Sequence, residues 1–67
     1  MTNTFELEKA IRMKGMTKQQ VALSLGLSIQ GFLLKLNNKN EFKASEIQLL
    51  CNLLDCSKDI FFADMVN

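Results

Sequence analysis

The side chains that could do covalent or metal chemistry are few and poorly spaced for it. The chain has no histidine, so the commonest general base is missing, and no serine, lysine or carboxylate stands in a recognisable nucleophile setting. Its two cysteines, Cys51 and Cys56, cannot make a disulfide framework, and a zinc site needs four ligands where only these two thiols are present. Their ordinary roles are a small core residue at Cys51 and a residue beside a turn at Cys56. Catalysis, a metal, a cofactor and a small-molecule substrate are therefore not expected. What remains is recognition chemistry. The Gln30 amide can pair bidentately with adenine, and the lysines that could meet phosphate gather in one stretch. From Thr17 to Lys43 stand Lys18, Lys35, Lys39 and Lys43 against the single acid Glu41; from Ala44 onward Glu46, Asp55, Asp59 and Asp64 stand against Lys58 alone. With a net charge of +1, it is this polarity and not total charge that suits one anion-facing surface. An ordinary solvated face carries the same pattern.

The elements that must position these groups read as helices. Sixty-seven residues allow one domain, 1–67, near the lower end of what folds without disulfides or metals. A hydrophobic content of 48% supplies a core, and the absence of proline permits a run of helices. No apolar stretch approaches the ~18 residues of a membrane span, and the N-terminus lacks the basic and apolar regions of a signal peptide. A cytoplasmic location is the expectation. A first helix runs from about Thr4 to Lys14, with Leu7 and Ile11 inward and Gly15 closing it. A second starts on Thr17, with Gln20 completing a capping box; Val21, Ala22 and Leu25 form its apolar side and Gly26 stops it. A third, capped by Ser28, reaches about Asn37, followed by a polar loop ending on Phe42. A fourth spans roughly Ala44 to Leu54, with Ile47, Leu50, Cys51 and Leu54 at helical spacing. A short fifth follows Ser57 and turns Ile60 and Phe61 inward.

The stretch from Gln20 to Phe32 reads as a helix-turn-helix. Ala22 is small enough for the next helix to cross close by, and Gly26 can take the left-handed backbone of a sharp turn. Leu27 plugs the corner, Ser28 caps the second helix, and Phe32 anchors it. With Gly15-Met16-Thr17 before this stretch, and Ser45-Glu46-Ile47, Leu53-Leu54 and Ile60-Phe61-Phe62 after it, the chain resembles the phage-repressor and Cro-like family. The subset with Lys35-Leu36-Asn37 and Glu41-Phe42 matches best. The resemblance implies an all-α, five-helix lambda-repressor-like DNA-binding domain that binds operator double-stranded DNA as a homodimer. It makes Thr17 and Lys18 phosphate or base contacts, and Ser28, Ile29, Gln30 and Leu34 the groove-facing set. Asn38, Lys39 and Lys43 would flank the DNA backbone.

The third helix departs from that pattern. At roughly 100° per residue, Phe32, Leu36, Ile29 and Leu33 form a core-facing stripe, and Asn37, Gln30, Leu34 and Gly31 lie opposite. The face that should read bases thus has Gln30 as its reader, a bare leucine at its centre, and a helix-weakening glycine at its edge. The closing aliphatic is displaced, with Lys35 in its place and Leu36 one residue later. Two functions follow. Either Leu34 touches a thymine methyl in a Cro-like operator repressor, or Leu34, with Ile29 or Leu33 at its margins, inserts into another protein. The second resembles the small modulator-of-repression proteins of temperate phages, whose partner is the phage repressor. A toxin–antitoxin antidote shares the fold, but the extra toxin-binding segment it usually carries is not expected here.

Overall fold

Each helix begins and ends where the sequence supplies a local hydrogen bond or an unusual backbone angle. The computed structural model describes residues 1–63. Helix α1 (Thr4–Met13) opens on Asn3, whose Oδ1 accepts the Glu6 N–H at 3.1 Å, and Gly15 turns the chain away from its end at φ 69°. Helix α2 (Lys18–Ser24) carries the full capping box. Thr17 Oγ1 accepts the Gln20 N–H at 3.1 Å, while Gln20 Oε1 accepts the Thr17 N–H at 2.9 Å. Gly26, at φ 72°, then bends the chain, and the Leu27 N–H returns to the Ala22 carbonyl at 2.9 Å. Helix α3 (Ile29–Leu36) is capped by Ser28, whose Oγ accepts the Gly31 N–H at 3.0 Å.

Helix α4 (Ala44–Leu54) starts with the Lys43 N–H donated to Glu46 Oε1 at 2.9 Å and ends on Asp55 in the left-handed region. The short helix expected after Ser57 takes the 3-10 form over Lys58–Phe62, with the Ile60 N–H donated to the Ser57 carbonyl three residues back. It still turns Phe61 into the core and leaves Ile60 half-buried. The described residues therefore form four α-helices and this single 3-10 helix, with no strand.

Inward side chains at helical spacing make the core: Leu7 and Ile11 from α1, Val21 and Ala22 from α2, Phe32 and Leu36 from α3, Leu50 and Leu54 from α4. Phe42 bridges two other rings, 6.0 Å from Phe32 and 5.4 Å from Phe61 between centroids, the second edge-on. The N-terminal residues stitch the two halves together. The Asn3 N–H donates to the Ile60 carbonyl at 2.7 Å, and Thr4 Oγ1 donates to the Leu36 carbonyl at 2.6 Å. No helix among the described residues is long and apolar enough to cross a membrane.

Candidate recognition surface

Because Phe32 and Leu36 are fully buried, α3 has no rotational freedom on the body, and its other face is fixed outward. Helix α2 packs against α3 across the Gly26 turn, with the small Ala22 buried. On the outward face Gln30, Leu33, Leu34, Asn37 and Lys39 line one shallow, mostly apolar depression. Leu34 is 45% exposed, Leu33 and Ile29 are half-buried, and Gln30 is exposed with no side-chain hydrogen bond among the described residues. The Lys39 N–H donates to the Leu34 carbonyl at 2.8 Å, which folds the loop over the end of α3 and brings the lysine to the rim. Gly31 has a local use. A Cβ there would come 3.2 Å from the capping Ser28 Oγ, so glycine leaves the cap undisturbed.

The other residues expected to bind are placed elsewhere or already engaged. Thr17 and Ser28 spend hydroxyl lone pairs on their caps. Lys18 pairs with Glu8 at 2.8 Å, both side chains part-exposed, so its charge is half-answered before any phosphate arrives. Lys43 is exposed at the start of α4, outside the depression. Asn38 is exposed, but its side-chain amide is engaged within the fold. Its Oδ1 accepts the Thr2 N–H at 2.8 Å and its Nδ2 donates to the Thr2 carbonyl at 2.9 Å, with its own backbone at φ 63°. An amide paired twice to the backbone of buried Thr2 clamps the N-terminal segment to the loop after α3.

The lysine standing where an aliphatic was expected has the most specific surroundings. Lys35 Nζ donates to both carboxylate oxygens of Glu46, at 2.7 and 2.9 Å, and the two side chains are only 12% and 9% exposed. Burial alone pushes the Glu46 carboxyl up. The Lys35 hydrogen bonds, the Lys43 N–H and the two lysine charges outweigh it and hold the group below its ordinary value. The pair fastens α3 to α4 and takes one more cation out of the outward face.

Three residues to which the sequence assigned no binding role stand out. Asn37, on the outward side of the wheel, lines the depression. Leu23 on α2 is 79% exposed, and a wheel through Val21, Ala22 and Leu25 already turns it outward. Glu46 was signalled only indirectly, by a cation at a core position that needs a buried partner. Among the described residues, no three His, Cys, Asp or Glu side chains gather as a metal site would require. No family model, curated protein or solved structure matches the chain.

Proposed function

We propose that this chain is a small transcriptional regulator of a phage-type genetic switch, working in the cytoplasm of a bacterial host and not as an enzyme. In this reading α2, the Gly26 turn and α3 are a helix-turn-helix, α3 is the recognition helix, and the 3-10 helix is the fifth element of a repressor-like domain. The surface acts as a modulator of repression, docking on the phage repressor protein, alone or on its operator.

One observation carries the choice of partner. The centre of the outward face is Leu34 in an apolar depression whose single lining cation, among the described residues, is Lys39. Affinity for duplex DNA rests on neutralising phosphates. Of the four lysines between Thr17 and Lys43, Lys35 is buried against Glu46 and Lys18 is paired with Glu8, leaving Lys39 and Lys43. A half-exposed leucine ringed by polar groups is instead the composition of a protein–protein anchor.

Direct operator binding by a Cro-like homodimer rests on a different observation, the unpartnered and exposed Gln30 amide. A gel shift with the neighbouring promoter region separates the two readings, run with this protein alone, the adjacent repressor alone, and both together. The modulator changes the repressor's shift and gives none alone at physiological salt. A shift by this protein alone, relaxed in sequence preference by Gln30→Ala, overturns the choice in favour of the operator.

A further inference from the structure

The way α4 stops brings the two cysteines to one corner. Asp55 adopts φ 54° and ψ 45°, and the Cys56 N–H turns back to the Cys51 carbonyl at 3.2 Å. This is the hydrogen bond of the Schellman cap, in which the side chain just beyond the helix commonly packs back on one three or four residues inside its end. Here those side chains are Cys56 and Cys51, both free thiols and both half-buried. The Cys56 Sγ lies 3.9 Å from the neighbouring Leu50 carbonyl, turned back along the helix.

Their surroundings differ. Cys51 borders an open, mostly apolar groove that Ile47, Lys58 and Phe62 also line, so a small solute can reach it from solvent. Cys56 faces the cleft on the α1 side, beside Met13, Leu54 and Ile60. Burial, then the charge and hydrogen bonding of the adjacent Cys51 thiol, push the Cys56 thiol up from its ordinary value. A thiol held protonated is a poor first nucleophile but can still resolve an oxidised neighbour.

The geometry points to an oxidative modification site in which a peroxide converts Cys51 and Cys56 into an intrachain disulfide across the cap of α4. The Cys51 thiolate attacks one peroxide oxygen; the S–O bond forms, the O–O bond breaks, and the departing hydroxide takes up a proton to become water. Cys51 is then a sulfenic acid. The Cys56 sulfur gives up its proton and attacks the Cys51 sulfur, the S–S bond forms, and the S–O bond breaks to release the second water. In sum two thiols are oxidised and one peroxide is reduced. The bond ties the end of α4 to the segment that carries Phe61 into the core. The site lies apart from the outward face of α3 and stands whatever that face binds.

The test treats the whole reduced chain, folded in native buffer, with stoichiometric hydrogen peroxide in the presence of dimedone. Wild type should become a monomer lighter by two hydrogen atoms, with Cys51 and Cys56 joined in one peptide and little dimedone adduct. Cys56→Ser, lacking the resolving thiol, should accumulate the adduct at Cys51, whereas Cys51→Ser should label weakly. Interchain dimers as the main product, wild type trapped by dimedone as fully as Cys56→Ser, or a disulfide that forms only in urea would each overturn the proposal. The wild-type mass decides the matter even where a serine variant folds poorly.

Discussion

Leu34 and Leu36 are the same residue type on the same helix, and they meet opposite surroundings. Leu36 is fully buried, whereas Leu34 is 45% exposed at the centre of a depression. Between them Lys35 reaches neither core nor solvent and is fastened to Glu46. The inward face of α3 therefore carries stability, the outward face is the one left free for the proposed recognition role, and the ion pair lies between them. If so, substitutions on the two faces must fail in different ways, and the difference in failure measures how cleanly the helix divides its duties.

The largest effect is expected from Leu36→Ala. Removing a fully buried leucine side chain in a small core should cost about 3 kcal/mol, within the ~2–5 kcal/mol range for such cavities. In a domain of this size that is a large part of the total stability. Urea unfolding should show the midpoint fall steeply, and any partner binding should fall only in proportion to the folded fraction. A midpoint near wild type would mean that the two faces are not distinct.

Glu46→Gln should come next, at about 2 kcal/mol or somewhat more, because it leaves the Lys35 ammonium mostly buried without its countercharge. The same group predicts a pH dependence. Glu46 has a folded-state pKa below its unfolded value, so its contribution is fully present above the unfolded value, near ~4.3, and is lost as pH falls through the folded one. Stability measured between neutral and strongly acidic pH should therefore fall less steeply in Glu46→Gln than in wild type. Parallel curves would remove the ion pair from the boundary between the faces.

Gly26→Val tests the turn that presents α3. A Cβ at Gly26 would meet nothing within 4 Å, so the whole cost comes from holding a β-branched residue at φ 72°. About 1–2 kcal/mol is expected, and less for Gly26→Asn, because asparagine tolerates this backbone region. The chain itself places Asn38 and Asp55 there. Equal melting temperatures for the Val and Asn variants would show that the turn relaxes freely and that α3 is not rigidly presented.

The limits of the sequence follow the range of each interaction. The Thr17–Gln20 box, the Ser28 cap and the left-handed Gly26 join residues a few positions apart, and all were legible from residue type and spacing. So were the inward stripe of α3 and the exposure of Leu34, because a wheel needs only periodicity. The Lys35–Glu46 pair and the Asn38–Thr2 clamp join residues 11 and 36 positions apart, and no local pattern encodes them. Both changed the candidate site, one by burying a cation and the other by engaging an expected contact. The 3-10 form of the last element was also hidden, since the same inward Phe61 serves an α-helix as well.

The smallest change in stability, and the most informative one for function, is expected from Leu34→Ala. The side chain already meets solvent over nearly half its surface, and α3 keeps both Phe32 and Leu36, so folding should move by no more than about 0.5 kcal/mol. Binding should respond far more. A leucine desolvated at the centre of an interface carries a disproportionate share of its energy, so if this face docks on a repressor as proposed, that complex should weaken by roughly 2 kcal/mol or more, about thirtyfold in Kd. An apolar contact is not screened, so that loss should be nearly the same at two salt concentrations. A DNA complex would behave otherwise. It would lose less on this substitution, depend steeply on salt through Lys39 and Lys43, and suffer most at sites bearing thymine. Titrating the one variant against the repressor and against operator DNA, at both salt concentrations, compares the faces directly. Full repressor affinity in Leu34→Ala would sink the modulator reading. A variant that unfolds would show that Leu34 belongs with Leu36, and that α3 has one working face where two are assigned.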